Sequence, residues 1–297
     1  MLRFEPQYEA LPWGGRRLEF EFSRHLPEGP VGESWELVDL DERQSLVADG
    51  PRQGATLGEL WREGALGGSA KDAFPFLLKW LDTNDKLSVQ VHPEAEACER
   101  LGKGSPKTEA WYVAHAEPGA TLMAGHYPGF DQATLKQAAK GGTIHKWLYE
   151  SNPRVGDLLL VPAGTLHSIG PGFLFLEVQQ PSDTTFRVYD WDRVGLDGNP
   201  RELHVEEACA SVNFERHGAL QSNRDEVVGP CFAMRGLHRG SEIEAGPLRV
   251  VVAESAAIKL STEQGEQVLE YGDVAVLEPA DGTVVVATGT CLLLTEP

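Results

Sequence analysis

Short apolar runs separated by turn residues constrain the fold of this chain more than any other feature. Thirty-two glycines and 19 prolines are scattered through 297 residues. Between them lie stretches rich in branched and aromatic side chains, which read as strands. They cover residues 74–80, 86–91, 109–115, 120–124, 157–161, 172–180 and 185–189. Strands this dense, with this much punctuation, predict an antiparallel sandwich or barrel. Helical signals are fewer. Thr56 with Glu59 forms a capping-box pattern ahead of Leu60 and Trp61. Pro93 followed by acidic residues opens a short helix. Residues 131–139 and 204–212 read as two more. The helices therefore sit in insertions, at about 50–70 and 128–150.

Residues 216–226 are polar and irregular, as a linker would be, and strand-like runs resume at 231–237, 248–260, 266–278 and 283–295. A faint repeat joins the two parts. Gly156-Asp157, an apolar run, then Pro162-Ala163-Gly164-Thr165-Leu166-His167 is echoed by Gly272-Asp273, an apolar run, then Pro279-Ala280-Asp281-Gly282-Thr283-Val284-Val285. The echo predicts two related β-domains, residues 1–215 and 216–297, although two hairpins can also resemble each other by chance. Val285 stands where the first copy has His167, which leaves ligands only in the first domain.

The net charge of −19 sets nucleic acid and anionic membranes aside as partners. A small anionic substrate is still possible if Lys and Arg cluster locally around it. No window approaches the roughly 18 apolar residues a membrane helix needs, and the N-terminus has no apolar signal-peptide core. The four cysteines, Cys98, Cys209, Cys231 and Cys291, form no CxxC pair. They read as reduced thiols of a cytoplasmic protein.

Four motifs carry chemistry. In Lys86-Leu87-Ser88-Val89-Gln90-Val91-His92-Pro93, strand alternation puts Ser88, Gln90 and His92 on one face and Leu87, Val89 and Val91 on the other. Three polar side chains on one face line either a site or solvent. Lys107 and Glu109 again share a face, as site residues or as a surface ion pair. His167 follows a Pro-Gly turn into an apolar strand, aimed inward or simply packed in the core. Arg187 lies between Phe186 and Val188, and an inward Arg there needs an anion or a negative transition state. Together, two His, one Glu and one Gln offer nitrogen and oxygen donors without thiolate. That set suits Zn²⁺, Mn²⁺, Fe²⁺ or Co²⁺ with positions open to water or substrate.

These motifs, with Trp13-Gly14-Gly15, Gly32-Glu33-Ser34-Trp35-Glu36, Lys107-Thr108-Glu109-Ala110-Trp111-Tyr112 and residues 177–193, resemble the type I mannose-6-phosphate isomerases, and most nearly the short bacterial form. The likeness runs in order from about residue 10 to residue 210 and is only general beyond. It implies a mainly β fold of two cupin-like antiparallel sandwich or jelly-roll domains with a few inserted helices. It implies one divalent metal per chain, zinc foremost, held by Gln90, His92, Glu109 and His167. Arg187 becomes catalytic and Glu177 the acid/base carboxylate, with Lys107 or a water on the metal behind it. Ser88, Lys86, Lys107 and Arg193 fall at or near positions facing the substrate and its phosphate. The implied reaction interconverts mannose 6-phosphate and fructose 6-phosphate through a cis-enediolate. The same site on an unphosphorylated aldose such as mannose or ribose, or a non-catalytic sugar-binding cupin, are the alternatives.

Overall fold

The strand Phe173–Gln179 is buried at every residue, and its two faces serve two different cores. Phe173 and Phe175 pack with Trp13, Trp111 and Ile169, whereas Leu174, Leu176 and Val178 pack with Val250, Val276 and Leu294. A strand covered on both faces reads as a continuous apolar run, because neither parity is left for solvent. The computed structural model describes residues 1–67, 73–262 and 264–297.

Among the described residues, four of the antiparallel sheets are stacked in order. A five-stranded sheet runs Leu148–Ser151, Leu122–His126, His167–Ile169, Val89–Val91, Phe186–Tyr189. It faces a seven-stranded sheet whose centre is Glu109–Ala116, Phe173–Gln179 and Leu77–Thr83. The far side of that sheet packs on a six-stranded sheet around Arg249–Ala253 and Thr290–Thr295. A four-stranded sheet around Ile258–Thr262 closes the stack through a separate core of Val251, Leu260, Val286 and Leu293. The helices Gln132–Lys140 and Val205–Ser211 cover the outer face of the five-stranded sheet. The mainly β expectation is met, and the second sandwich lies directly against the back of the first.

Several boundaries differ from the sequence reading. The runs 248–260, 266–278 and 283–295 each fold as two strands rather than one. Gly272 (φ 86°) and Gly289 (φ 79°) turn the chain in the left-handed region inside the latter two. The strands Gln7–Gly15 and Val31–Leu37 were not anticipated. The insertion expected at about 50–70 contains the helix Leu57–Arg62, closed by the anticipated Thr56–Glu59 box, and residues 68–70 lie outside the described residues. The expected linker is ordered into sheet: Ser222–Asn223 pairs with Leu158 and Leu159 of the first sandwich, and Glu226–Val228 joins the second. Leu2–Arg3 pairs with Val276 and Ala275, so the N-terminus belongs to a sheet of the second sandwich.

The repeat has matching bonds in both copies. Gly156 N–H donates to Val113 O (2.9 Å) and Val113 N–H to Asp157 O (3.0 Å). Gly272 N–H donates to Ala253 O (2.9 Å) and Ala253 N–H to Asp273 O (3.1 Å). Each Asp also accepts from the backbone N–H three residues back, at 2.8 and 3.0 Å. Both glycines have positive φ, which is what keeps Gly-Asp at the turn in each copy.

Candidate metal centre and its cavity

The inner faces of the first sandwich change character along their length. On Phe173–Gln179 the inward residues run Phe173, Phe175, Glu177, Gln179, and register places Glu177 opposite Lys79 and Trp111, with Gln179 opposite Glu109. One end is therefore apolar core, and the other carries charge on three adjacent strands. The polar end opens into a cavity of about 380 Å³, lined among others by Trp13, Lys79, Ser88, Gln90, Lys107, Glu109, Glu177 and Arg187.

Arg187, Gln90 and His167 stand in one row across the five-stranded sheet, as register partners on three neighbouring strands. His92 follows just past the end of Val89–Val91. Glu109 comes from the facing sheet. His92, Glu109 and His167 bring one donor atom each to within 4.8 Å of the others, and all three are buried. His92 Nε2 is 3.2 Å from Glu109 Oε2, and His167 Nε2 is 3.3 Å from Oε1. Gln90 joins them with its amide nitrogen 3.2 Å from His167 Nε2, while its carbonyl oxygen accepts from Ser88 Oγ at 3.0 Å.

Backbone contacts fix the tautomers. His92 Nδ1 is 2.8 Å from Thr184 O, and His167 Nδ1 is 2.9 Å from Thr165 O. A carbonyl oxygen only accepts, so each Nδ1 carries the proton and each Nε2 presents a lone pair to Glu109. Burial lowers both imidazole pKa values, that of His167 to about 4. Both rings are then neutral at physiological pH. Burial by itself would raise the Glu109 carboxyl, but the Lys107 ammonium outweighs it and holds the carboxyl well below the usual range. His92 Nε2 and both Glu109 oxygens accept no hydrogen bond although they are buried. Lone pairs of two imidazoles and a carboxylate, pointed at one another in a dry site, repel unless a cation lies between them. The nitrogen–oxygen donor set fits a borderline divalent ion and gives it no thiolate.

Beside this cluster lies a carboxyl of different character. Trp111 Nε1 donates to Glu177 Oε2 (2.9 Å), and Lys107 Nζ lies 4.0 Å from Oε1. Burial pushes the Glu177 pKa up to about 7, with Lys107 pulling against it and Glu109 adding to it. Lys107 Nζ is 3.1 Å from Glu109 Oε2. Burial opposes its charge, yet Glu109 and Glu177 prevail and raise its pKa. Lys107 therefore keeps its proton and is ill suited to be the base.

Other site candidates fall differently. Ser88 is buried and lines the cavity, as anticipated. Leu87 lines it too, instead of packing with Val89 and Val91, because regular strand geometry begins only at Val89 and the alternation does not extend back to Leu87. Lys86 and Arg193 are not brought into the lining. Lys86 Nζ sits 4.5 Å over the Trp191 ring, and Arg193 is paired with Asp190 and Asp85. In their place the cavity has Lys79, Arg43 and Arg201, none of which was anticipated. Lys79 was detectable as a lone cation in an apolar strand; it is buried, 3.2 Å from Glu33 and 3.9 Å over the Trp35 ring. Arg201 sits in a polar loop and had no local signal.

Two facing antiparallel sheets with a His–Glu–His cluster between them are the architecture of a metal-site cupin. The first 110 residues match the model of the phosphomannose isomerase type I catalytic domain. The chain is 42% identical over 210 residues to mannose-6-phosphate isomerase of Streptococcus mutans, covering 70% of this chain and 66% of that one. It is 37% identical over 241 residues to mannose-6-phosphate isomerase ManA of Bacillus subtilis, covering 76% and 74%. The chain belongs to the type I mannose-6-phosphate isomerase family. The crystal structure of mannose 6-phosphate isomerase from Bacillus subtilis superposes with a TM-score of 0.89 at 29% identity, over 99% of both chains. The structural likeness thus includes the C-terminal region, where sequence resemblance was only general.

Proposed function

We propose that this protein interconverts mannose 6-phosphate and fructose 6-phosphate through a cis-enediolate, with a divalent metal, zinc foremost, held by Gln90, His92, Glu109 and His167. The observation that carries this reading is the convergence of buried donor atoms of His92, Glu109 and His167, placed beside a carboxyl poised near neutrality. When bound, the metal supplies Lewis acidity to the sugar oxygens on which negative charge develops. Glu177 takes the C2 proton of the aldose and returns it to C1. Trp111 holds one oxygen of that carboxyl and leaves the other toward the cavity. Lys107, kept protonated by its two carboxylate neighbours, stabilises ionised Glu177 and can hold a proton for the substrate oxygens. Arg187, beside Gln90, places a fixed positive charge next to the enediolate. The leucine- and aromatic-lined inner end excludes water from the reacting carbons. No helix among the described residues is long and apolar enough to cross a membrane, and all four cysteines are unpaired. Both fit the cytoplasmic residence we assign to it.

The deciding experiment is a coupled assay on mannose 6-phosphate before chelation, after chelation, and after metal add-back. Activity that vanishes and returns with Zn²⁺ supports the reading; full activity in the metal-stripped protein sinks it. The base assignment has its own signature. A base with a pKa of about 7 must be ionised to act. Turnover therefore declines about tenfold per pH unit below that value. Glu177→Gln should cost about 10²- to 10⁴-fold in turnover and remove this acidic limb. An unchanged limb in the variant would assign the titration to another group.

A further inference from the structure

The turn after Phe186–Tyr189 is strained and firmly held. Trp191 and Asp192 are consecutive non-glycine residues at φ 60° and 55°. Such backbone persists only where surrounding contacts enforce it, and often at functional sites. Here Trp191 Nε1 donates to Leu87 O (2.7 Å), Tyr189 Oη donates to Asp192 Oδ2 (3.0 Å), and Lys86 covers the indole. The turn directs Asp190 inward, where its carboxylate is buried. Arg201 Nε and Nη2 donate to Asp190 Oδ2 and Oδ1 at 2.7 and 2.6 Å, and Arg193 Nε and Nη2 donate to Oδ1 at 3.2 and 2.9 Å.

Two guanidiniums thus share one buried carboxylate, and a third lies beside them. Segment 201–204 runs along Arg187: Arg187 Nη1 donates to Glu202 O (2.9 Å), and His204 N–H to Arg187 O (2.7 Å). Arg187 Nε is buried without a partner. The other cavity cations are matched by carboxylates: Lys79 by Glu33, Arg43 by Glu9, and Lys107 by Glu109. Among the described residues, Arg187 has no carboxylate in ion-pair contact, and no hydrogen bond engages Arg201 Nη1. In a chain of net charge −19 this is a local surplus of positive charge on the cavity wall.

We propose that Arg201 is the residue that selects a phosphorylated sugar, receiving the phosphate at the Arg187 side of the cavity, and that Asp190 is the positioning residue that holds Arg201 there. This rests on the isomerase reading above. A guanidinium fixed by a bidentate carboxylate pair keeps its remaining N–H edge oriented, so little rotamer freedom is lost when an oxyanion arrives.

Steady-state kinetics of the zinc-loaded full chain on mannose 6-phosphate and on free mannose, with inorganic phosphate as competitive probe, test it. Arg201→Gln should raise KM for mannose 6-phosphate and the phosphate inhibition constant by about 10- to 100-fold. Its kcat/KM on mannose should stay within about twofold, and Arg201→Lys should restore part of the loss. Asp190→Asn should raise the same KM with little change in kcat, and Asp190→Glu should recover some of it. Equal losses on both sugars, or an unchanged KM and phosphate inhibition in a folded Arg201→Gln, overturn the proposal. If Asp190→Asn does not fold, the two Arg201 variants decide. If the wild-type protein turns over neither sugar, the isomerase reading fails. Calorimetric phosphate binding, with and without Arg201→Gln, then still settles the role of Arg201.

Discussion

Arg187→Ala should leave the metal content at one ion per chain and cut turnover of mannose 6-phosphate by about 10²- to 10³-fold, the scale on which a preorganised charge acts on a developing oxyanion. Arg187 neighbours Gln90 across the sheet, yet its own contacts run to the backbone of the 202–204 segment. Its removal therefore deletes charge without deleting a metal donor. Metal analysis beside kinetics separates the two roles: lost metal would make Arg187 structural, and unchanged turnover would remove it from catalysis. Because Arg187 also adjoins the Arg201 site, its effect should appear in kcat as well as KM, whereas the Arg201 effect should be confined to KM.

Glu109→Gln should lose both metal and activity. The carboxylate is the only anionic member of the cluster, and it faces both imidazole lone pairs. An amide of the same size keeps the packing but withdraws the charge that favours a cation over an empty, mutually repelling set of donors. Elemental analysis after dialysis should fall from stoichiometric to background, with turnover following. Stoichiometric metal in the variant would show that His92, His167 and Gln90 suffice without it. Lys107 keeps Glu177 as a neighbour, so the loss should not be a general collapse of the site, which thermal melting can check.

Strand parity put Gln90 and His92 on one face because it is local, but only the resemblance joined them with Glu109 and His167 as a ligand set. Gln90 and His92 lie two apart, and two-residue periodicity sends both inward whatever the sheet does later. His167 and Arg187 were legible from their apolar flanks. Lys86 and Arg193 were expected near the substrate because charge and proximity in sequence are all that a linear reading can weigh. The fold instead places Lys86 on an indole and Arg193 on a carboxylate. Arg201 shows the opposite failure. It lies in an irregular stretch, and only the contact with Asp190, eleven residues earlier and held by a strained turn, brings it to the cavity wall.

The sequence by itself determined the alternation, the turns and the kinds of donor atom, since each depends on neighbours a few residues apart. It also carried the repeat, whose Gly-Asp turns bond alike in both sandwiches. Tertiary structure alone decided which residues meet. Glu109 crosses from one sheet to the histidines of another, and Leu2–Arg3 joins a sheet built some 270 residues later. It also decided the protonation of the site. The same glutamate side chain is held ionised at position 109 and lifted to about pH 7 at position 177, because burial weighs on both while Lys107 lies 3.1 Å from the first and 4.0 Å from the second, to which Glu109 adds its own negative charge.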